Sequence, residues 1–243
     1  MSPGDFQRFG PPTGKLRDCR RHGVDSGAEL FIVEGDSAAG AVHLARDPEF
    51  QAVLAWQGKP ANALRAPAAK IGANPHYAAL IEALGAGWGP DFRLDARRFQ
   101  RVLLLMDPDA DGLHCGALAL IFLHRWMRPL LAGGYVETVW APRVELHFPG
   151  ETEPTYAYHD AHYHRLRDEF RRQGRTNFET VHHRGLASIP GAALRKTCLQ
   201  PATRVSSVMS VAEAEAAGQT FAGVQPLELW VSAEKNTAAD PRG

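Results

Sequence analysis

The sequence has few cysteines, no excess charge of either sign and no long apolar run. Its three cysteines, Cys19, Cys115 and Cys198, lie far apart, which argues against a disulfide framework or a zinc site and favours a reducing cytosol. Lysine and arginine total 27, as do aspartate and glutamate, so any polyanion would be bound by local patches. The stretch 113–131 is too polar to span a membrane, and the N-terminus lacks a signal-peptide core. We therefore expect a cytoplasmic protein without a membrane partner.

Apolar runs alternate with helical patterns along the first 143 residues. Such alternation predicts an α/β fold in which a parallel sheet is covered on both faces. Beyond Pro142 a hairpin, a charged helix and a further strand predict a smaller α+β tail. We predict three regions: a flexible lead-in over 1–27, an α/β domain over 28–143 and a tail domain over 144–243. The predicted strands are 29–34, 51–56, 101–106, 135–140, 145–148, 155–158 and 178–182, and the predicted helices are 37–46, 76–84, 113–131 and 160–173.

Two of the predicted strands end in carboxylates. Asp107, Asp109 and Asp111 follow the apolar run 102–106, and Glu34 follows the run 30–33. Ligands of open α/β sheets bind at the carboxyl ends of the strands. Four acids gathered there would repel one another unless a hard cation such as Mg²⁺ neutralised them. The pattern therefore predicts a divalent metal site.

Other interpretations of these acids are weaker. An EF-hand calcium loop needs a glutamate at its twelfth position, where this sequence has Leu118. A solvated acidic turn would account for the aspartates but not for a second acid-capped strand. Asp36 and Ser37 are plausible helix caps, whereas glutamate is a poor turn former. Glu34 is thus more simply explained as a metal ligand or a proton carrier.

The motifs resemble a known family when they are taken together. Residues 34–38, Glu-Gly-Asp-Ser-Ala, followed by Asp-x-Asp-x-Asp-Gly-x-His at 107–114, are similar to the TOPRIM domain of bacterial type IIA topoisomerases. The match is closest to the B subunits of DNA gyrase and topoisomerase IV, and it covers 13–145 well and 175–230 loosely. It implies a Rossmann-like TOPRIM domain with a parallel sheet. Further segments that resemble the family, in its order, are 14–19, 46–54, 58–59, 83–89 and 184–186.

The resemblance also implies a chemistry. A tyrosine on a partner subunit attacks a DNA phosphodiester, and Glu34 passes a proton to the leaving oxygen and takes it back on religation. Mg²⁺ is the expected cofactor, and Mn²⁺ or Ca²⁺ could substitute in binding. By resemblance, the expected metal ligands are Glu34, Asp107, Asp109 and Asp111, the residues that touch DNA are Lys59 and Asn62, and the supporting residues are Asp36, Ser37 and His114, the last as a structural hydrogen-bonder.

The sequence also departs from the family pattern. It shows no ATPase half, no Walker loop and no element that carries the nucleophilic tyrosine. Gln57 replaces a basic residue, 60–63 replaces Ile-Leu-Asn-Val, and Gly116 replaces an arginine, each of which weakens contact with DNA. We expect a cleavage and religation module that acts with separate ATPase and tyrosine-bearing chains. The alternatives are a stand-alone metal nuclease and a non-catalytic DNA-binding or regulatory paralogue.

The tail carries a group of histidines and a group of arginines. The histidine spacing fits no common zinc pattern. Acids interrupt the arginine run over 165–175, which favours a solvated helix face over a phosphate-binding one.

Overall fold

The computed structural model describes residues 15–222, in which nine strands form one six-stranded and one three-stranded sheet. In chain order the strands are β1 (Leu16–Arg17), β2 (Glu29–Glu34), β3 (Gln51–Trp56), β4 (Arg101–Leu104), β5 (Val136–Val139), β6 (Val144–His147), β7 (Thr155–Ala157), β8 (Glu179–His182) and β9 (Ser206–Val208). The larger sheet has the order β1-β3-β2-β4-β5-β9. Its four inner strands are parallel, and its two edge strands are antiparallel to their neighbours. The predicted α/β class is confirmed.

Helices cover both faces of this sheet. The α-helices of the described residues are α1 (Gly35–Ala45), α2 (Ala68–Ala73), α3 (Pro75–Leu84), α4 (Ala110–Trp126), α5 (Arg128–Ala132), α6 (Asp160–Arg172), α7 (Gly191–Leu194) and α8 (Val211–Phe221), of which α6 packs on the smaller sheet. One core layer contains α3, α4 and α8, and the other contains α1 and the segment 186–199. With both faces covered, β2 and β3 are buried along almost their whole length. Double burial explains why these strands are continuous apolar runs instead of alternating ones.

The long predicted helix over 113–131 is divided into α4 and α5. Met127 separates them with an extended φ of −142°. Pro129 follows two residues later, and a proline ring excludes the helical hydrogen bond and crowds the preceding turn. The segment 58–74, for which neither a strand nor a helix is predicted, contains the short helix α2. Within the described residues, none of the helices has the length and apolar character needed to cross a membrane.

Segments outside the predicted α/β domain complete its sheet. Leu16 of β1 pairs with Leu54 of β3, so residues 16–17 are held in the sheet and differ from the predicted flexible lead-in. From the predicted tail, β9 pairs with β5, and α8 packs on α4. The division at residues 27/28 and 143/144 stays a prediction. Residues 144–182 of the tail form the small sheet β7-β6-β8 under α6, with its own apolar core, and this sheet includes the predicted hairpin.

A buried ion cluster joins the tail to the sheet. The Arg204 guanidinium donates to both carboxylate oxygens of Glu29, at 2.8 and 2.7 Å, and lies 3.5 Å from Glu137. All three side chains are 5% exposed or less. Gln51 donates to Glu29 at 2.9 Å and to the Leu199 carbonyl at 2.7 Å. Glu137 also pairs with Arg101, so Glu29 is the buried acid whose only ion pair among the described residues is with this tail cation.

Removal of that cation should destabilise the fold strongly. We expect Arg204→Met to lower the free energy of unfolding by about 3–5 kcal/mol, because it leaves the buried charge of Glu29 uncompensated and leaves Glu137 with Arg101 as its partner. Urea denaturation measures the change. The matched control is Arg20→Met: Arg20 is 78% exposed and pairs with Glu49, so its loss should cost about 1 kcal/mol at most. Equal costs for the two variants would contradict the cluster's structural role.

Candidate metal site at the carboxyl edge of the sheet

Glu34 is the last residue of β2 and stands at the start of α1. The turn into the helix passes through Gly35 at a φ of +81°, a conformation that favours glycine. One carboxylate oxygen of Glu34, Oε2, is buried and has no hydrogen-bond partner among the described residues. Burial, and then the charges of Asp109, Asp107 and Asp111, raise the pKa of this carboxyl. A buried acceptor without a partner carries a desolvation cost, so this oxygen is suited to a ligand.

Asp107 follows the neighbouring strand β4, which pairs in parallel with β2. Its Oδ1 accepts the Leu186 N–H at 2.8 Å. Gly185 packs so closely that an added Cβ would lie 2.8 Å from Oδ2. Burial, with a smaller contribution from Asp109, raises the pKa of Asp107 although the Leu186 bond opposes the shift. The tail segment 185–186 therefore fixes the orientation of this carboxylate.

The contact between Gly185 and Asp107 predicts that Gly185→Ala weakens metal binding far more than it lowers stability. Gly185 has extended backbone, φ −173°, which alanine adopts without strain, and the Asp107 side chain can rotate away from the new methyl. We expect a stability loss of about 1 kcal/mol from the weakened Leu186 bond. Mn²⁺ affinity measured by calorimetry should fall by about tenfold or more, as it does when groups that orient a metal ligand are lost. Gly191→Ala is the control, because a Cβ there meets nothing within 4 Å. Unchanged Mn²⁺ binding by Gly185→Ala would contradict the role of segment 185–186 in orienting the Asp107 carboxylate.

The other two aspartates lie at the start of α4. Asp109 is its N-cap residue, and its Oδ1 accepts the Gly112 N–H at 2.8 Å. Asp111 is exposed and accepts a hydrogen bond from Lys59 at 2.7 Å. This bond lowers the pKa of Asp111 and raises that of Lys59. At Gly112 a Cβ would stand 2.1 Å from the Asp107 carbonyl oxygen, so α4 can begin this close to the strand only with glycine.

The four predicted metal ligands therefore share one edge of the sheet, but each aspartate is turned to its own partner. Their oxygens do not form a group within 4.8 Å of one another, the spacing of a closed metal site. An all-oxygen donor set, one orphaned buried oxygen and two raised pKa values fit a hard divalent cation.

A tighter group of potential ligands lies elsewhere and has no recognised sequence motif. Asp18, Cys19 and His22 form the group in the described part of the chain whose ligand atoms all lie within 4.8 Å. The Arg98 guanidinium already donates to Asp18 and lies 2.9 Å from His22 Nε2. A cation thus occupies this cluster, which we interpret as structural.

The predicted DNA-contacting and supporting residues surround the acidic edge. Lys59 reaches it through Asp111, while Asn62 is exposed and accepts the Leu64 N–H at 2.8 Å. Asp36 and Ser37 do not cap α1, because the helix already begins at Gly35. Asp36 instead accepts a hydrogen bond from the Gln57 amide, and Ser37 is exposed.

His114, expected to be a structural hydrogen-bonder, makes a ring contact in the structure. Its ring packs against Phe221, with the centroids 4.8 Å apart. Burial and the charge of Lys59 lower its pKa. The histidines of the tail form no metal group in the part of the chain that the structure describes. His183 is buried and bonds to Glu145 at 2.9 Å.

An α/β sheet with acids at the ends of two adjacent parallel strands defines a class of metal-site domain. Residues 29–139 match the Toprim domain family, and this part of the chain is a Toprim domain. The chain is 34% identical over 208 residues to the DNA gyrase B subunit of Archaeoglobus fulgidus, and 37% identical over 209 residues to that of Haloferax volcanii. Each alignment covers 86% of this chain and 32% of the relative.

A second kind of topoisomerase shows a similar likeness. The DNA topoisomerase 4 B subunit of Caulobacter vibrioides is 37% identical over 191 residues, which is 79% of this chain and 27% of that protein. The chain thus spans about a third of the length of the curated relatives it matches. The resemblance to the Toprim domain and following region of the B subunits of type IIA topoisomerases, predicted from the motifs, is confirmed.

Proposed function

We propose that this chain is the Mg²⁺-dependent DNA cleavage and religation module of a type IIA topoisomerase. Separate chains would supply the nucleophilic tyrosine and ATP hydrolysis. The single observation that carries the proposal is the half-buried Glu34 carboxyl at the end of β2: its Oε2 is buried without a hydrogen bond among the described residues, and three aspartates repel it although the Cys115 thiol opposes the shift. The relatives are named as subunits of gyrase and topoisomerase 4, which supports the same class of reaction.

The residues fit the metal that this chemistry needs. Glu34, Asp107 and Asp109 would hold Mg²⁺, with Asp111 bridging or outside the direct ligands. When bound, the ion would supply charge stabilisation to the leaving 3′ oxygen and to a neighbouring phosphate.

The remaining steps belong to side chains of this protein. With its raised pKa, Glu34 holds a proton more tightly than an ordinary carboxyl does, and it can donate that proton to the leaving oxygen and recover it on religation. Lys59 is exposed and can exchange its bond with Asp111 for a DNA phosphate. The exposed loop at Asn62 would lie along the same backbone.

The test combines the purified chain with a tyrosine-bearing partner and an ATPase chain from the same source. Supercoiled plasmid and Mg²⁺ should give protein-linked DNA breaks, and Asp107→Asn should reduce them by about 100-fold or more, because a metal ligand and its charge are lost. Asp95→Asn, a change at an exposed acid that pairs with Arg93, serves as the control. Unchanged Mg²⁺-dependent breaks with Asp107→Asn would refute the proposal.

The same assay separates the two alternatives. Nicking by the chain alone, without protein-linked DNA, would identify a metal nuclease in which water replaces tyrosine. Capture of the tyrosine-bearing partner without Mg²⁺ binding would identify a non-catalytic module. One observation favours the latter: Gln57 brings no charge to the DNA-facing loop, and its amide is held by Asp36.

A further inference from the structure

A cavity of about 910 Å³ opens beside Asp107 and runs along the first half of α4. Its other walls come from the ends of β4 and β5, from the segment 153–158, from α6 and from the segment 196–205. Cavities of this size are typical of small-molecule sites. Because the tail contributes three of its walls, the cavity exists only where tail and Toprim domain meet.

The lining combines aromatic rings with cations. Trp140, Tyr156 and Tyr158 all line the cavity. Burial raises the pKa of Tyr156 to about 12, so its hydroxyl stays protonated and can donate a hydrogen bond. Aromatic walls with a few polar groups are suited to a flat aromatic ligand. Such a ligand can stack on the walls through its ring face, regardless of which hydrogen-bonding groups lie on its edge.

The cations at the cavity are not equivalent. Arg143 pairs with Asp160 at 3.2 Å, and Lys196 pairs with Glu153 at 2.6 Å. Arg165 also lines the cavity, is exposed, and has no acidic partner or hydrogen bond among the described residues. A guanidinium without a counter-charge at the mouth of an aromatic cavity is suited to a phosphate group.

We propose that this cavity binds a nucleotide unit, with the base among the three aromatic side chains and the phosphate at Arg165. The unit is either a free mononucleotide or the terminal nucleotide of a single DNA strand. The choice of a nucleotide over another aromatic anion rests on the proposed function, because the cavity reaches Asp107, where a DNA strand would be cut.

Gly116 offers a direct way to close the cavity. It lies within α4 and lines the cavity, and the nearest atom to an added Cβ is Met106 Cγ at 3.8 Å. Gly116→Leu would therefore place its side chain in the cavity, while the loss of a mid-helix glycine favours the helix. Gly40 in α1 has nothing within 4 Å of an added Cβ, so Gly40→Leu is the matched control.

Binding is measured by calorimetry on the full chain in EDTA, which removes divalent metal. The result is therefore independent of the DNA cleavage assay that tests the proposed function. The probes are adenosine 5′-monophosphate, adenosine, and a 5′-phosphorylated hexathymidylate with its unphosphorylated form. We expect the phosphorylated probes to bind about tenfold more tightly than their unphosphorylated forms, and Gly116→Leu to reduce this binding about tenfold or more. Gly40→Leu should bind as the native chain does.

Arg165→Gln provides a second variant that cannot disturb the core, since Arg165 is exposed. It should remove the preference for a phosphate and leave adenosine binding unchanged. Tighter binding of the hexathymidylate than of the monophosphate assigns the site to a strand end, and the reverse assigns it to a free nucleotide. Absence of binding by both phosphorylated probes, or equal binding by Gly116→Leu and the native chain, overturns the proposal.

Discussion

Glu34→Gln should remove DNA cleavage and at the same time stabilise the metal-free protein. Loss of the proton carrier and metal ligand is expected to reduce cleavage in the reconstituted complex by about 100-fold or more. In EDTA at pH 8 the free energy of unfolding should rise by about 1 kcal/mol, as it often does when a strained functional group is replaced. The amide of the same shape is uncharged and can donate to the neighbouring aspartates.

The pH dependence follows from the direction of the pKa shift. Since burial and the aspartates raise the Glu34 pKa in the folded state, the folded protein binds this proton more tightly than the unfolded chain. Stability therefore falls as pH rises from the ordinary pKa through the raised one, and the full penalty remains above it. The advantage of Glu34→Gln should be largest above the raised pKa and shrink below it.

Urea denaturation of both proteins between pH 4 and pH 8 checks this expectation. Glu179→Gln is the control, because Glu179 lies on the exposed strand β8 of the small sheet. A variant that loses stability at pH 8, or whose advantage grows as pH falls, would show that Glu34 is not repelled in the native protein. Retained cleavage would separately refute its chemical role.

Gly112→Ala should disrupt the start of α4. A Cβ at this position would stand 2.1 Å from the Asp107 carbonyl oxygen and 2.9 Å from two further backbone atoms of Asp107. Backbone cannot rotate away as a side chain can, so the strand end and the helix must separate. We expect a loss of about 3 kcal/mol or more in the free energy of unfolding, together with loss of Mn²⁺ binding.

The same helix contains its own control. At Gly116 a Cβ makes only an ordinary contact with Met106, at 3.8 Å. Gly116→Ala should therefore stabilise the protein by about 0.5–1 kcal/mol, because alanine loses less conformational entropy in a helix. Denaturation and Mn²⁺ calorimetry on the pair check the expectation of opposite signs. If Gly112→Ala proves as stable as Gly116→Ala, the start of α4 does not lie as close to the Asp107 backbone as the structure indicates.

Much of the central sheet could be predicted from the sequence because its strands are doubly buried. The bounds of β2 and β3 agree with the predicted ones, since the apolar runs there are continuous and end at charged or turn-forming residues. Pro129 signals the break at Met127, but the amphipathic pattern that continues through this proline led to one predicted helix over 113–131. The edge strands β1 and β9 are two and three residues long, too short to show an alternating pattern.

The candidate site could be predicted in part for a similar reason. Acids that directly follow apolar strands must meet at one edge of a parallel sheet, so the sequence alone points to Glu34 and Asp107. The partners of Asp107 and Asp111 could not be predicted, because Leu186 and Gly185 for the first and Lys59 for the second are distant in sequence and reach the edge only through tertiary packing.

The sequence by itself determined which residues carry charge at the strand ends and which strands are central, because apolar periodicity and turn chemistry are local properties. Tertiary structure alone decided how each carboxylate is oriented, which buried oxygen has no partner among the described residues, and that the tail closes both the ion cluster at Arg204 and the cavity beside Asp107. Those features depend on contacts between segments about 80 to 175 positions apart, and no local pattern encodes such contacts.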